Sequence, residues 1–363
     1  MLVILAGCGK GASDAPAGTG SSRNPPARLH PIASFPDARL VVGSRRVAIM
    51  SGERWLEPAA LDSASGPREV AALGASLAKA RATLGGDFQV LLGGSPIVVG
   101  GEEHRESHVR LEPAPHVIEV EGLLARVAAR RDGTELWQLD DRLRSQLAVV
   151  DATGTVSVLP EHPLIGPAVV GLSPVKAKAC ATPHVQELAT TGDDIFALVT
   201  ECSGDAPIRI ARYHWPSPGA RPVTTVEQLD SAHALGFEPQ HLVVARDGTR
   251  ALVGAARGQL VVARVSSGGK LTSVASLSNV TRVADAAIGD DGAVWALTLG
   301  TSDGRDHWQV ARDGEVVPVT DRAGRALRPS RLAFDEHYGV VVMATSADQT
   351  WLSIERAGML AAP

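Results

Sequence analysis

Short apolar runs broken by turn residues dominate this chain, and they recur in a fixed order. The pattern is clearest over residues 239–277, PQHLVVARDGTRALVGAARGQLVVARVSSGGKLTSVASL. An apolar run at 242–245 meets Asp247-Gly248, and a second follows at 251–253. A third spans 260–265, a Ser-Gly-Gly turn intervenes, and a fourth covers 271–277. Asp-Gly between β-rich runs is a strong hairpin signal, because the turn needs a residue that tolerates positive φ. Four short antiparallel strands in about forty residues make one repeat unit.

The strand–turn–strand half of that unit occurs seven times, near Gly43, Gly94, Gly133, Gly192, Gly248, Gly292 and His337. A second turn follows each by about twenty residues, in LDSASGPREVAAL, VRLEPAPHVIEV, VVDATGTVSVL, YHWPSPGARPVTTV, ARVSSGGKLTSV, QVARDGEVVPV and IERAGML. Two turn series keeping one offset predict an all-β β-propeller of seven four-stranded blades. An all-β sandwich with evenly spaced strands is the competing architecture. The last copy is cut short after Gly358, so residues 29–35 are expected to supply its outer strand and close the ring. Between 67 and 84, Val70, Leu73, Leu77 and Leu84 stand at helical spacing. The repeat requires a strand at 68–73, which leaves a short helix at 75–82.

Composition narrows the class without changing the architecture. Gly (37) and Pro (23) are abundant and aromatics make up 4% of 363 residues, which suits many turns and argues against a helical bundle. A formal charge of −5 with no basic stripe excludes nucleic acid as a partner. No apolar run reaches the roughly eighteen residues a spanning helix needs.

The chain has three cysteines, Cys8, Cys180 and Cys202. Cys8 ends Leu5-Ala6-Gly7-Cys8, which resembles a bacterial lipobox, where cleavage leaves a lipid-carrying Cys. Residues 1–7 then read as a signal-peptide remnant. Residues 8–28 read as the lipidated Cys and a flexible tether, since GKGASDAPAGTGSSRNPPA has no apolar periodicity. Residues 29–363 read as the propeller. In that topology Cys180, in the crossover at 161–183, and Cys202, after the second strand of the same blade, share one face. A disulfide between them is expected in an oxidising compartment, with two buried reduced thiols as the alternative.

The face carrying the crossovers and second-to-third strand loops also gathers polar segments, at 100–108, 140–145, 230–238 and 301–307. His104, His108, His184, His233, His241 and His307 fall there; His104 and His108 stand four apart, but in a loop and not on a helix, so neither a metal nor a cofactor is expected. The Gly-rich run 7–11 lies in the tether rather than between a strand and a helix, and no Gly-x-Ser-x-Gly elbow occurs. The six Trp residues fall in or beside strands and read as packing between blades.

Residues 29–363, with the Cys8 motif, resemble bacterial β-propeller lipoproteins with degenerate repeats. The resemblance implies a lipid-anchored, extracytoplasmic monomer, held by Cys8 at the outer membrane of a Gram-negative cell on its periplasmic or surface face. It implies a binding or scaffolding module that meets a protein or glycan through its loop-rich face. The alternative is a propeller enzyme of lactonase, lyase or quinoprotein type, with its site at the mouth of the central channel. Catalytic candidates near that mouth are His184, Glu187, His241, Arg282 and Arg331. Their mixed types form no repeating ring, which favours the binding reading.

Overall fold

The structure, a computed structural model, describes residues 28–35, 38–42, 45, 47–51, 54–56, 89–92, 96–102, 105–110, 116–121, 123–141, 144–159, 184–200, 206–266, 269–302, 304–336, 338–347 and 349–355. No side chain between 50 and 124 is among them. The sequence expectations for the lipobox and tether, the 68–73 strand, the 75–82 helix, and Cys180 and Cys202 lie outside the described residues.

The chain starts with β1 (His30–Phe35), then builds β2 (Arg39–Val42), β3 (Val47–Ser51) and β4 (Arg54–Leu56) as one sheet. The next comprises β5 (Gln89–Leu92), β6 (Pro96–Glu102), β7 (Arg105–Arg110) and β8 (His116–Glu121). It is followed by β9 (Leu123–Ala129), β10 (Glu135–Asp141), β11 (Arg144–Val150) and β12 (Val156–Val158). β13 (His184–Thr190), β14 (Ile195–Thr200), β15 (Pro207–His214) and β16 (Val223–Ser231) form another blade. The short helix α1 (Ala232–Leu235) crosses to β17 (Glu238–Val244), β18 (Arg250–Ala256), β19 (Gln259–Val265) and β20 (Leu271–Ser278). After these come β21 (Arg282–Ile288), β22 (Val294–Ser302), β23 (Arg305–Arg312) and β24 (Glu315–Val317). The last blade takes β25 (Arg328–Asp335), β26 (Gly339–Thr345) and β27 (Thr350–Ile354), with β1 as its outer strand. Successive antiparallel sheets around a channel make this an all-β β-propeller.

Seven four-stranded blades are not what the chain forms. Five four-stranded blades are described down to their side chains: β9–β12, β13–β16, β17–β20, β21–β24 and β25–β27 with β1. The sheet β5–β8 is described by its backbone alone, and β2–β4 has three strands among the described residues, with β4 paired there to β3. Turn spacing reported how often the motif recurs. It did not show that every copy has a fourth strand.

Burial follows position within a blade. The second strands are covered on both faces by neighbouring blades, so they read as unbroken apolar runs: all six residues of β14, IFALVT, are buried. Outer strands such as β12 and β24 are mostly exposed. The core is therefore a series of layers between blades. Leu136, Leu147, Leu188 and Tyr213 join β9–β12 to β13–β16, and Trp295, Val310, Phe334 and Val342 join β21–β24 to the last blade. Trp295 is fully buried in such a layer, and Trp137 is fully buried against Leu139, Ala148 and Val150 of its own blade.

The β17–β18 turn refines the hairpin expectation. At Asp247-Gly248, Gly248 N donates to Ala245 O (3.0 Å) and Ala245 N to Thr249 O (2.8 Å). Gly248 sits at φ 87. This is a three-residue loop ending in a left-handed glycine, not a two-residue turn. Asp247 braces it by accepting from Thr249 N at 2.8 Å.

β1 closes the ring, pairing antiparallel to β27 from His30↔Ile354 to Phe35↔Thr350. Phe35 packs with Met343, Leu352 and the β2–β3 residues Leu40 and Ile49, and Leu29 joins the neighbouring layer. Burying two such side chains contributes about 1.5–3 kcal/mol each, before any ladder bonds are counted. Removal of residues 28–35 is therefore expected to lower the melting temperature by roughly 10 °C or more. A chain beginning at Arg28 should melt within a few degrees of the full-length protein. Equal melting of the two shortened chains, followed by circular dichroism, would show that β1 does not hold the ring.

Candidate functional site

The inner strands of the five described blades share one irregularity at the same register position. Pairing with the second strand skips Ala125 in β9, Gln186 in β13, Gln240 in β17, Ala284 in β21 and Ser330 in β25. Each is a β-bulge, which leaves one residue unpaired and re-aims the next. The residues that follow the bulges are Arg126, Glu187, His241, Asp285 and Arg331, and all five line one cavity of ≈ 520 Å³ in the central channel. Their charges alternate in sign from blade to blade.

Local sequence makes these bulges possible. Gly254, opposite the bulge at Pro239, sits so close that a Cβ would lie 2.5 Å from Glu238 O. The bulged residues also stitch blades together. Gln186 Nε2 donates to Pro239 O at 2.6 Å, and Val283 N donates to Gln240 Oε1 at 2.8 Å.

Within the belt the charges pair. His241 Nδ1 lies 3.1 Å from Glu187 Oε2, and its Nε2 lies 3.3 Å from Val283 O. A carbonyl and a carboxylate only accept, so this pair of contacts is satisfied when both ring nitrogens donate, which favours the imidazolium. Burial alone would push the His241 pKa down. The hydrogen bond and charge of Glu187 outweigh it, and the net direction is up. Arg331 Nε reaches Asp285 Oδ2 at 3.2 Å, and Leu332 N donates to the same oxygen at 3.2 Å. Burial still wins there, so Asp285 titrates above the usual carboxylate range despite Arg331. Arg126 Nη1 donates to Gln138 Oε1 at 3.3 Å.

The opposite, hairpin end of the channel is bridged. Arg45, from the β2–β3 turn, is 5% exposed and reaches across to Val244 O at 3.1 Å and to the Asp290 carboxylate. Its guanidinium lies 4.5 Å over the Phe334 ring. Burial pulls its pKa below the ordinary value, with Asp290 and Glu336 acting the other way. Arg131 Nη2 meets Glu336 Oε2 at 2.8 Å, and Glu336 N donates to Arg45 O at 2.9 Å. From His241 to Val244 the strand descends three residues, about 10 Å. The cavity is thus a cup, with a charged belt near the crossover face, a waist formed by the inner strands, whose Leu188, Leu242, Ala287 and Leu332 side chains pack into the layers between blades, and a guanidinium floor.

Of the residues singled out in the sequence, Glu187, His241 and Arg331 line the cup. His184 and Arg282 open β13 and β21, ahead of the bulges, and Arg282 is exposed. Sequence reasoning missed Arg126, Asp285 and Arg45. For two of them a signal was present: Arg126, His241 and Asp285 each stand seven residues ahead of a turn glycine, Gly133, Gly248 and Gly292. Among the described residues no cluster of His, Cys, Asp and Glu could hold a metal ion.

No protein-family model matches the chain, and no curated protein matches it in sequence. Solved structures similar in shape include the Cps50 (Swd1) β-propeller domain of Myceliophteria thermophila. It shows 11% identity and a TM-score of 0.48, over 91% of this chain and 98% of that one. The Dos1 propeller gives 10%, 0.46, 90% and 95% for the same measures. A streptogramin B lyase gives 12%, 0.44, 90% and 96%. Likeness at this level carries no argument about activity; the architecture rests on the chain's own sheets.

The imidazolium assignment predicts a pH dependence. The folded protein holds a proton on His241 that the unfolded chain loses near pH 6.5, so this stabilisation is complete below about 6.5 and is lost as pH rises through the folded pKa. Imidazole resonances followed by NMR should show His241 titrating above the ordinary value, and Glu187→Gln should bring it down. Titration at or below the ordinary value in the unmodified protein would contradict the assignment.

Proposed function

We propose that this protein is a membrane-tethered binding module whose ligand enters the central cup from the crossover face. The observation that carries this reading is the paired belt. Glu187 is engaged by His241 and Asp285 by Arg331, on strands fixed by inter-blade hydrogen bonds. Such a ring presents shaped, alternating polarity on rigid walls, which suits recognition. A cavity of ≈ 520 Å³ takes a small molecule, or one residue of a larger protein or glycan partner.

The enzyme reading draws support from one feature. Asp285 and His241, both shifted upward, face one cavity, as acid–base groups do in active sites. Against it, His241 has no free nitrogen to accept a proton, and the Thr190 hydroxyl lining the cup is engaged by Asp194 O and Gly192 N. Binding is therefore the stronger reading.

The test fills the cup from its waist. Ala286→Trp, on the cup wall, should fold but occlude the cavity. Compounds from a chemically diverse small-molecule library that raise the melting temperature of the native protein should lose that effect in the variant. A library with no cup-dependent binder would end the reading.

The tether is the second part of the proposal, supported by Leu5-Ala6-Gly7-Cys8 and the low-complexity residues behind it. Lipid on Cys8 would hold the propeller at the outer membrane of a Gram-negative cell. Metabolic labelling with a fatty-acid analogue should mark the native protein and not Cys8→Ser. Equal labelling of both would remove the anchor.

A further inference from the structure

One side chain of the belt spans two blade boundaries. The His241 ring on β17 meets Glu187 Oε2 of β13 through Nδ1 at 3.1 Å, and Val283 O of β21 through Nε2 at 3.3 Å. Beside each contact runs a neutral one that pH does not alter: Gln186 Nε2 donates to Pro239 O, and Val283 N donates to Gln240 Oε1. Each boundary is thus fastened at the mouth by one amide side chain and by one end of the same imidazole. The His241 side chain is 20% exposed and that of Glu187 30%, so the ring can exchange protons with solvent.

Charge reaches the ring from both neighbouring inner strands. Glu187 faces it from β13, and Asp285 acts on it from β21, where Arg331 and Leu332 N hold that carboxylate. His184 and Arg282 open those two strands. On β18, Val253 stands opposite His241, and Arg250 lies at the hairpin end with Glu227. β14, IFALVT, carries no charge. His233 of α1 and Glu238 of β17 are exposed, and Arg126 lines the cavity further round.

A doubly protonated ring satisfies both acceptors, whereas a neutral ring has one N–H to give. The carboxylate is the stronger acceptor and makes the shorter contact, so the remaining proton stays on Nδ1 with Glu187. Nε2 then sets a lone pair against the Val283 oxygen, and that end of the bridge opens. We propose that His241 is a pH-operated latch at the mouth of the cup: protonated, it clamps β17 to both neighbours; neutral, it keeps Glu187 and releases β21. Gln240 still ties β21 to β17, so release loosens one side of the mouth without parting the blades. The latch is closed on the acid side. Folding raises the proton affinity of the ring, so the Val283 contact is lost as pH rises through the folded pKa.

Imidazole nitrogen shifts of the full chain, followed by NMR from about pH 5 to about pH 10, identify the tautomer directly. His241 should pass from protonated at both nitrogens to Nδ1–H alone. Hydrogen exchange read by mass spectrometry and corrected for intrinsic rates should show protection of β21 falling about fivefold or more across the same titration, with β13 unchanged. Glu187→Gln should carry both midpoints to lower pH together, and His241→Gln should lack the step. A neutral ring protonated at Nε2 would overturn the latch, as would a ring still doubly protonated at about pH 10. So would an exchange step that survives in His241→Gln, or whose midpoint parts from that of the ring. Should either variant fail to fold, the tautomer and the exchange step of the native protein decide. The latch can fail with the binding proposal intact, because neither readout needs a ligand.

Discussion

A propeller exists only if its ring closes, and here closure depends on two distant segments meeting as neighbouring strands. β1 begins at His30 and β27 ends at Ile354, and these two residues are paired. Without β1, β27 would be an open edge and Leu352 and Ile354 would lose cover from Phe35. Every other layer depends on that contact indirectly, because each blade is buried only by the blades beside it. A ring of such layers has no end that can fray independently, so the geometry at the channel is set by the whole circle.

The channel shows what that constraint allows. Charged residues on innermost strands would normally be costly, since they lie between apolar layers. The bulges ease this by turning one residue per strand out of the layer and into the channel, where neighbouring blades supply a partner of opposite sign. His241 finds Glu187 and Arg331 finds Asp285, each across a blade boundary. Spacing between blades thus sets the distance between charges, and ring closure sets the spacing.

Most of the fold was legible because its signals are local. Asp247-Gly248 announces a left-handed turn position wherever it stands, and β14 or β26 announces double-sided burial by being apolar throughout. Strand number per blade was less legible, since β4 is three residues long and nothing in the turn pattern says whether a partner follows. The belt was half visible. Glu187, His241 and Arg331 stand out by type, whereas Arg126 and Asp285 acquire meaning only once the bulges are known to fall in register. Bulges leave no mark of their own in this sequence: the skipped residues are Ala, Gln, Gln, Ala and Ser. Arg45 was invisible for a different reason. Its partners Val244, Asp290 and Phe334 are about 200 to 290 residues away, and no local pattern predicts such a contact.

The two ends of the channel differ in how firmly their charges are held. Arg45 takes a left-handed backbone at φ 52, a conformation that costs a non-glycine residue on the order of 1 kcal/mol or more. It is kept there by Asp290, by Val244 O, by the Phe334 ring and by Glu336 N on its own carbonyl. Those contacts come from three different blades, so displacing the guanidinium would loosen the ring across its diameter. At the mouth the charges are held by fewer contacts, His241 by Glu187 and Val283 O and Asp285 by Arg331 and Leu332 N, and the Arg331 side chain is 56% exposed. Exchanging one such pair for a contact to an incoming molecule disturbs a single blade boundary. In the binding reading proposed above, a ligand would rearrange the belt but would have to accept the floor as it finds it, which makes the floor the rigid reference and the mouth the adaptable end.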